Sequence, residues 1–139
     1  MLAAIPYSAP LGLRATAETG QPVRVRLPFT KAAANYVGTA HAGALFTLAE
    51  AAAGIAAYRL VADLSGLVLL RGATVRYTRR AESDMTATAR ITEEAEVSAR
   101  TAFERERRGD VNVQVVVTAE GSEAVFDGTF DYALRARTR

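Results

Sequence analysis

Apolar residues fall along this chain in two distinct rhythms. Val23, Val25 and Leu27 alternate with Arg24 and Arg26, and Met85, Ala87, Ala89 and Ile91 alternate with Thr86, Thr88 and Arg90. Later, Val111, Val113, Val115 and Val117 face away from Asn112, Gln114 and Thr118, and Phe126, Phe130, Tyr132 and Leu134 face away from Asp127, Thr129 and Asp131. A period of two marks a strand with one buried face, so these segments predict half-buried antiparallel strands. A long strand is expected from Leu67 to Arg80 and a short one from Leu11 to Ala17, with turns at "TGQP", "DLSG", "AESD", "RRGD" and "AEGSE".

The second rhythm runs from His41 to about Leu60. This stretch is rich in alanine and leucine, lacks proline and is apolar nearly all round, which predicts a helix covered on most sides. The expected fold class is α+β, an antiparallel sheet wrapped around a long central helix. Such a helix beside one-sided strands also predicts that the sheet pairs with a second copy, giving a homodimer or homotetramer with a shared pocket. A second helix, Glu93 to Arg108, differs in kind. Thr92 is its candidate cap, Glu93, Glu94 and Glu96 sit in its first turn, Glu96/Arg100 and Glu104/Arg108 are spaced as i,i+4 pairs, and Gly109 is the expected stop. It reads as a solvated surface helix, the alternative being a charged lid or docking face.

Composition narrows the classes. The 139 residues fit a single domain, residues 1–139, long enough to bury about two-thirds of the surface its unfolded form exposes. With no cysteine and one histidine, disulfides, thiolate metal sites and a multi-histidine zinc site within one subunit are excluded. The start "MLAAIPYSAP" lacks a basic region and is broken by Pro6 and Pro10, so it does not read as a signal peptide, and a cytoplasmic location is expected. The net charge of +2 rests almost wholly on arginine, interleaved with acids as in "FERERRGD", which argues against a nucleic-acid face. The stretch from Ala42 to Tyr58 is short for a bilayer and carries a central glutamate, so no membrane partner is expected.

That glutamate, Glu50, is the only acid or base between His41 and Arg59. An unpaired carboxylate in a low-dielectric core costs several kcal/mol, so a buried one is paired, protonated or facing a cavity. One reading pairs it with an arginine such as Arg71 or Arg76, or sets it on an exposed stripe; the other makes it a cleft-facing catalytic carboxylate.

His41 cannot partner Glu50 within one helix. Nine residues at about 100° each bring the two to opposite sides, roughly 13 Å apart along the axis. Gly43, seven residues before Glu50, lies on nearly the same face at the N-terminal end, where amide N–H groups point outward. Such a terminus with glycine at the contact can stabilise an oxyanion; close packing at a helix start is the plainer alternative. If the site spans two subunits, one chain's carboxylate can face the other's amides. His41 otherwise reads as a satisfied histidine at the helix entrance, and Asn35 as a turn former or a residue that orients a water or a substrate carbonyl.

The pattern Asn35-x-x-Gly38-x-x-His41-x-Gly43, followed by Leu48-Ala49-Glu50 and then Gly54, resembles the signature of hotdog-fold acyl-CoA thioesterases of the PaaI-like type, and most resembles the branch labelled DUF4442. The strand and helix order fits that fold over most of the chain, including "RGATVRYTRRAESD" as the long strand after the helix. The resemblance implies that Glu50 holds the place of the catalytic acid, general base or nucleophile, that Asn35 matches the motif asparagine, and that the Ala42 and Gly43 amides match the oxyanion-binding turn. It also puts Gly38 and His41 on the substrate side. The chain departs from the pattern in having Ala42 where the family commonly has the first glycine of His-Gly-Gly. Arg79 and Arg80, at the end of the long strand, are candidates for the phosphates of an acyl-CoA or related thioester, with solvated strand-end arginines as the alternative. No cofactor is implied. A non-catalytic acyl-CoA or lipid-binding protein and a hotdog hydratase or dehydratase remain as rival functions on the same scaffold.

Overall fold

In a computed structural model the chain is described over residues 2–16, 22–121 and 123–138. Six strands form one antiparallel sheet: β1 (Arg14–Ala15), β2 (Val23–Leu27), β3 (Gly66–Tyr77), β4 (Met85–Arg90), β5 (Arg108–Ala119) and β6 (Ala124–Ala136). Their spatial order is β1-β2-β4-β5-β6-β3. Helix α1 (Ala42–Tyr58) packs on one face of the sheet, and α2 (Glu93–Glu106) lies between β4 and β5 in the chain and packs against β5.

The alternation of the sequence is the alternation of burial. Val23, Val25 and Leu27, then Met85, Ala87 and Ala89, then Val111 through Val117 in steps of two, all turn inward and meet Leu45, Leu48, Ala49, Ala52, Ala53 and Ala56 of α1. Alanines on both helix and strand let the two approach closely, while Phe126 and Phe130 of β6 fill the rest of the layer, Phe130 with its ring 5.4 Å from that of Phe46. Close packing of this kind is where most of the helix's stability comes from.

Several local expectations are corrected. The first strand is only two residues long: Leu11 closes a 3-10 turn, and Ala17 lies outside the described residues, as do three of the four residues of "TGQP". β3 stops at Tyr77 rather than Arg80, because the Thr78 and Arg79 N–H groups both turn to the Val125 carbonyl and leave the ladder. Helix α2 has its Thr92 cap, but its stop is Arg107 in the left-handed region at φ 58°, with Gly109 already inside β5. Arg100 of α2 bonds Asp63, the Leu60 carbonyl and Glu104 rather than Glu96, which ties the helix to the loop after α1. In "DLSG" it is Ser65, not Gly66, that takes positive φ. Gly66 is needed for room instead: a Cβ there would come within 2.5 Å of the Val61 side chain. Among the described residues no helix is long and apolar enough to cross a membrane.

Candidate active site

Helix α1 begins at His41. The imidazole Nδ1 accepts from the Gly43 N–H at 2.8 Å, and the His41 carbonyl accepts from Ala44 and Leu45. The incoming chain is pinned by His41 N–H to the Ala33 carbonyl and Ala40 N–H to the Ala81 carbonyl. The loop before it is built by Asn35, whose Oδ1 accepts from the Val37 and Thr39 N–H groups while its Nδ2 donates to Thr39 Oγ1 and the Ala40 carbonyl. Gly38 turns this loop at φ 81°, a backbone region that favours glycine.

Two turns into α1, Glu50 faces a cavity of about 380 Å³ between the helix, the N-terminal segment (Leu2, Ile5, Tyr7) and the start of β3 (Leu67 to Leu70). The carboxyl is half-buried, and burial holds it above the ordinary glutamate range, an effect the hydrogen bond from Tyr132 only partly offsets. Tyr132, buried on β6, donates toward Glu50 Oε2 at 3.3 Å and lies 3.0 Å from the Glu50 backbone carbonyl. Burial, then the Glu50 charge, holds its phenol above the usual tyrosine range.

The arginine-pairing reading of Glu50 is overturned. Arg71 bonds Asp131 and Asp110, and Arg76 bonds Asp127. Arg76 pairs directly across from Asp127 in the β3–β6 register, on the sheet face away from α1, so these cations and Glu50 are on opposite sides of the sheet.

The motif residues divide among three hollows. Asn35, Ala42, Arg79 and Arg80 line one of about 440 Å³, together with Tyr77, whose hydroxyl donates to the Ala42 carbonyl at 3.0 Å. His41 and Gly43 line a second, and Glu50 the third; Tyr7 and Thr47 border both of these. Gly38 sits at the loop tip with open space around it. Arg79 is paired with Glu123, while exposed Arg80 has no partner among the described residues.

The N-terminal amides of α1 are not equivalent. Gly43 gives its N–H to His41, whereas the Ala42 N–H has no acceptor among the described residues, and Ala42 is not a positive-φ residue, so alanine is accommodated there without strain. Three side chains of this region escaped the sequence reading: Tyr132, Tyr77 and Thr47, whose hydroxyl donates to the Gly43 carbonyl. For Tyr132 a signal was present. It follows Phe126 and Phe130 on the same inward face, and a buried phenol, unlike a phenyl ring, needs a hydrogen-bond partner.

Proteins of similar fold are known. The model of DUF4442, a domain of unknown function, matches residues 1–134. A Pseudomonas aeruginosa protein of unknown function, described as a probable thioesterase, is 28% identical, with a TM-score of 0.80 over 96% of this chain and 89% of that one. A mutant thioesterase from the same organism is 17% identical, with a TM-score of 0.75 over 93% of this chain and 85% of that one. A Chlorobaculum tepidum TLS protein with unknown function is 16% identical, with a TM-score of 0.80 over 96% and 88%. The last two are likenesses of fold. No curated protein matches the chain. The chain belongs to the DUF4442 branch, PaaI-like, of the hotdog-fold acyl-CoA thioesterase superfamily.

Proposed function

We propose that this protein hydrolyses an acyl thioester of the acyl-CoA kind, with Glu50 as general base toward water or as nucleophile on the thioester carbonyl. The observation that carries this reading is the cavity itself: a largely apolar chamber of about 380 Å³ in which Glu50 is the only carboxyl among the described lining residues, set where burial raises its proton affinity. Apolar walls suit an acyl chain, and an acid tuned upward toward neutrality suits proton transfer.

Within one chain the carboxylate and the α1 N-terminus are two helical turns apart, about 10 Å along the axis. A complete site therefore takes the carboxylate of one copy and the helix-terminal amides of another. Strand β3 supports the second copy. It is twelve residues long, lies at the sheet edge, and leaves Leu69, Leu70 and Tyr77 exposed, an edge that invites pairing. Because Leu67 to Leu70 also wall the Glu50 cavity, a copy paired there borders the site. In this reading the sheet curls around α1, which touches every strand from β2 to β6, in one domain whose core runs from Leu2 to Leu134. Arg80 and the Arg79/Glu123 pair border the hollow that would take the CoA phosphates. Arg26, Arg71 and Arg76 are matched by carboxylates, which argues against a nucleic-acid face.

A non-catalytic acyl-CoA-binding role is the second reading, favoured by the Gly43 N–H being already bonded to His41. Thiol release measured over short, long and aromatic acyl-CoAs decides between them. Turnover by the wild-type chain that falls at least about a hundredfold in Glu50→Gln, with acyl-CoA binding retained, is expected for the enzyme. Binding without turnover across the series selects the second reading. Sedimentation showing an active monomer at micromolar concentration would remove the shared site.

A further inference from the structure

The Glu50 cavity contains a device that the motif does not include. Strand β6 turns Phe126, Phe130 and Tyr132 toward the helix, and only the third carries a hydroxyl. That oxygen has two neighbours, both from Glu50: the backbone carbonyl at 3.0 Å and the carboxylate at 3.3 Å. The carbonyl belongs to the helix ladder, so the phenol is not required to satisfy it. One turn further along α1, both groups lie beside Gly54: a Cβ there would sit 3.4 Å from Glu50 Oε2 and 3.4 Å from the Tyr132 hydroxyl, ordinary van der Waals contact.

We propose that Tyr132 is the positioning residue of Glu50: its phenol, beside Gly54, fixes the direction of the carboxylate in the cavity. The inference rests on the reading of Glu50 as the reacting group. A phenol has one proton to give and lone pairs to receive, so it serves both protonation states. Toward the carboxylate it donates. Toward the protonated acid it accepts, while its own proton turns to the Glu50 carbonyl. Glu50 thus keeps a partner on both sides of a proton transfer, without a cation that would pull its proton affinity down.

Among the described residues no other charged group faces Glu50 in this cavity. The N-terminal segment contributes Tyr7, helix α1 contributes Tyr58, β3 contributes only Leu67 to Leu70, and β6 only Tyr132. Since the phenol's bond opposes the effect of burial, removing it should push the Glu50 carboxyl further up.

The test is a titration that needs no substrate. In protein labelled with 13C at the glutamate side-chain carboxyls, the Glu50 resonance is the one lost in Glu50→Gln. Its midpoint is expected to move upward in Tyr132→Phe, which keeps the ring and the packing, and to stay near the wild-type value in Gly54→Ala, which keeps the phenol and adds a methyl at ordinary contact distance. Melting temperatures of the same samples establish that both variants are folded. Thiol release from octanoyl-CoA gives the kinetic arm: in Tyr132→Phe, kcat falls about tenfold or more with KM little changed, the scale of misplacing a reacting group, and the acid limb of the pH profile moves up with the carboxyl. An unmoved Glu50 titration in Tyr132→Phe overturns the positioning role. Wild-type turnover by Glu50→Gln overturns instead the reading of Glu50 on which it rests.

Discussion

Helices α1 and α2 handle charge in opposite ways. Half of the fourteen residues of α2 are charged, and they work in the open: Arg100 clamps Asp63 and Glu104, and just past the helix end Arg107 lies over the ring of Phe103. The Asp63 carboxyl is drawn below the usual range by its hydrogen bonds from Arg100. Helix α1 has one charge in seventeen residues, and burial raises it instead. A carboxylate that meets a cation at the surface contributes little to stability, because water already solvates both partners. A carboxylate half-withdrawn from water with only a phenol for company is a standing cost, and such a cost persists where the group is used. The contrast extends across the sheet, whose outer face matches Asp84 and Glu120 with Arg26, and Asp127 with Arg76.

The comparison can be broken first at the packing that holds α1. Leu48, fully buried, anchors the helix on the sheet; Leu48→Ala is expected to cost about 2–5 kcal/mol in chemical denaturation. A cost below about 1 kcal/mol would mean that the helix does not depend on its apolar face.

Glu50→Gln comes next, and here the expected sign is a gain. Because the folded carboxyl binds its proton more tightly than the unfolded one, the native state holds more protons in the window above the ordinary glutamate value of about 4.3, and wild-type stability falls as pH rises through it. The variant should therefore melt higher than wild type at pH 8, and the gap should close as pH drops below that window. A variant that melts lower at pH 8 would return Glu50 to the scaffold.

On α2 the effects should shrink. Thr92→Ala removes the side chain that accepts from the Ala95 N–H and is expected to cost about 1 kcal/mol. Arg100→Ala loses an exposed pair with Asp63, and its effect is expected to be smaller than that of Thr92→Ala and to fall further when denaturation is repeated in molar salt. An Arg100 effect as large as that of Leu48 would erase the distinction between the helices.

What could be read along the chain was whatever depends on near neighbours. The faces of β2, β4, β5 and β6, the extent of α1 and the Thr92 cap follow from periods of two and 3.6 and from a hydroxyl at a helix start. The isolation of Glu50 was equally plain, since one charge among alanines is a statement about composition. One less local feature was misread, since Gly109 looked like a stop and yet Arg107 takes the left-handed turn; another was not visible at all, that Val61 demands the missing side chain of Gly66 at the end of the "DLSG" turn.

The sequence by itself therefore determined most of the elements, the buried faces and the isolation of one acid, Glu50, on an apolar helix, because hydrophobic period and composition are properties of short stretches. Only the tertiary structure decided what that acid meets. Tyr132 is 82 residues away, and it reaches Glu50 because the strand order puts β6 under α1. The same order sends Arg71 and Arg76 to the other face, where they are spent on aspartates of β5 and β6. Which partner a side chain finds across a sheet is set by register and strand order, and no local period encodes either.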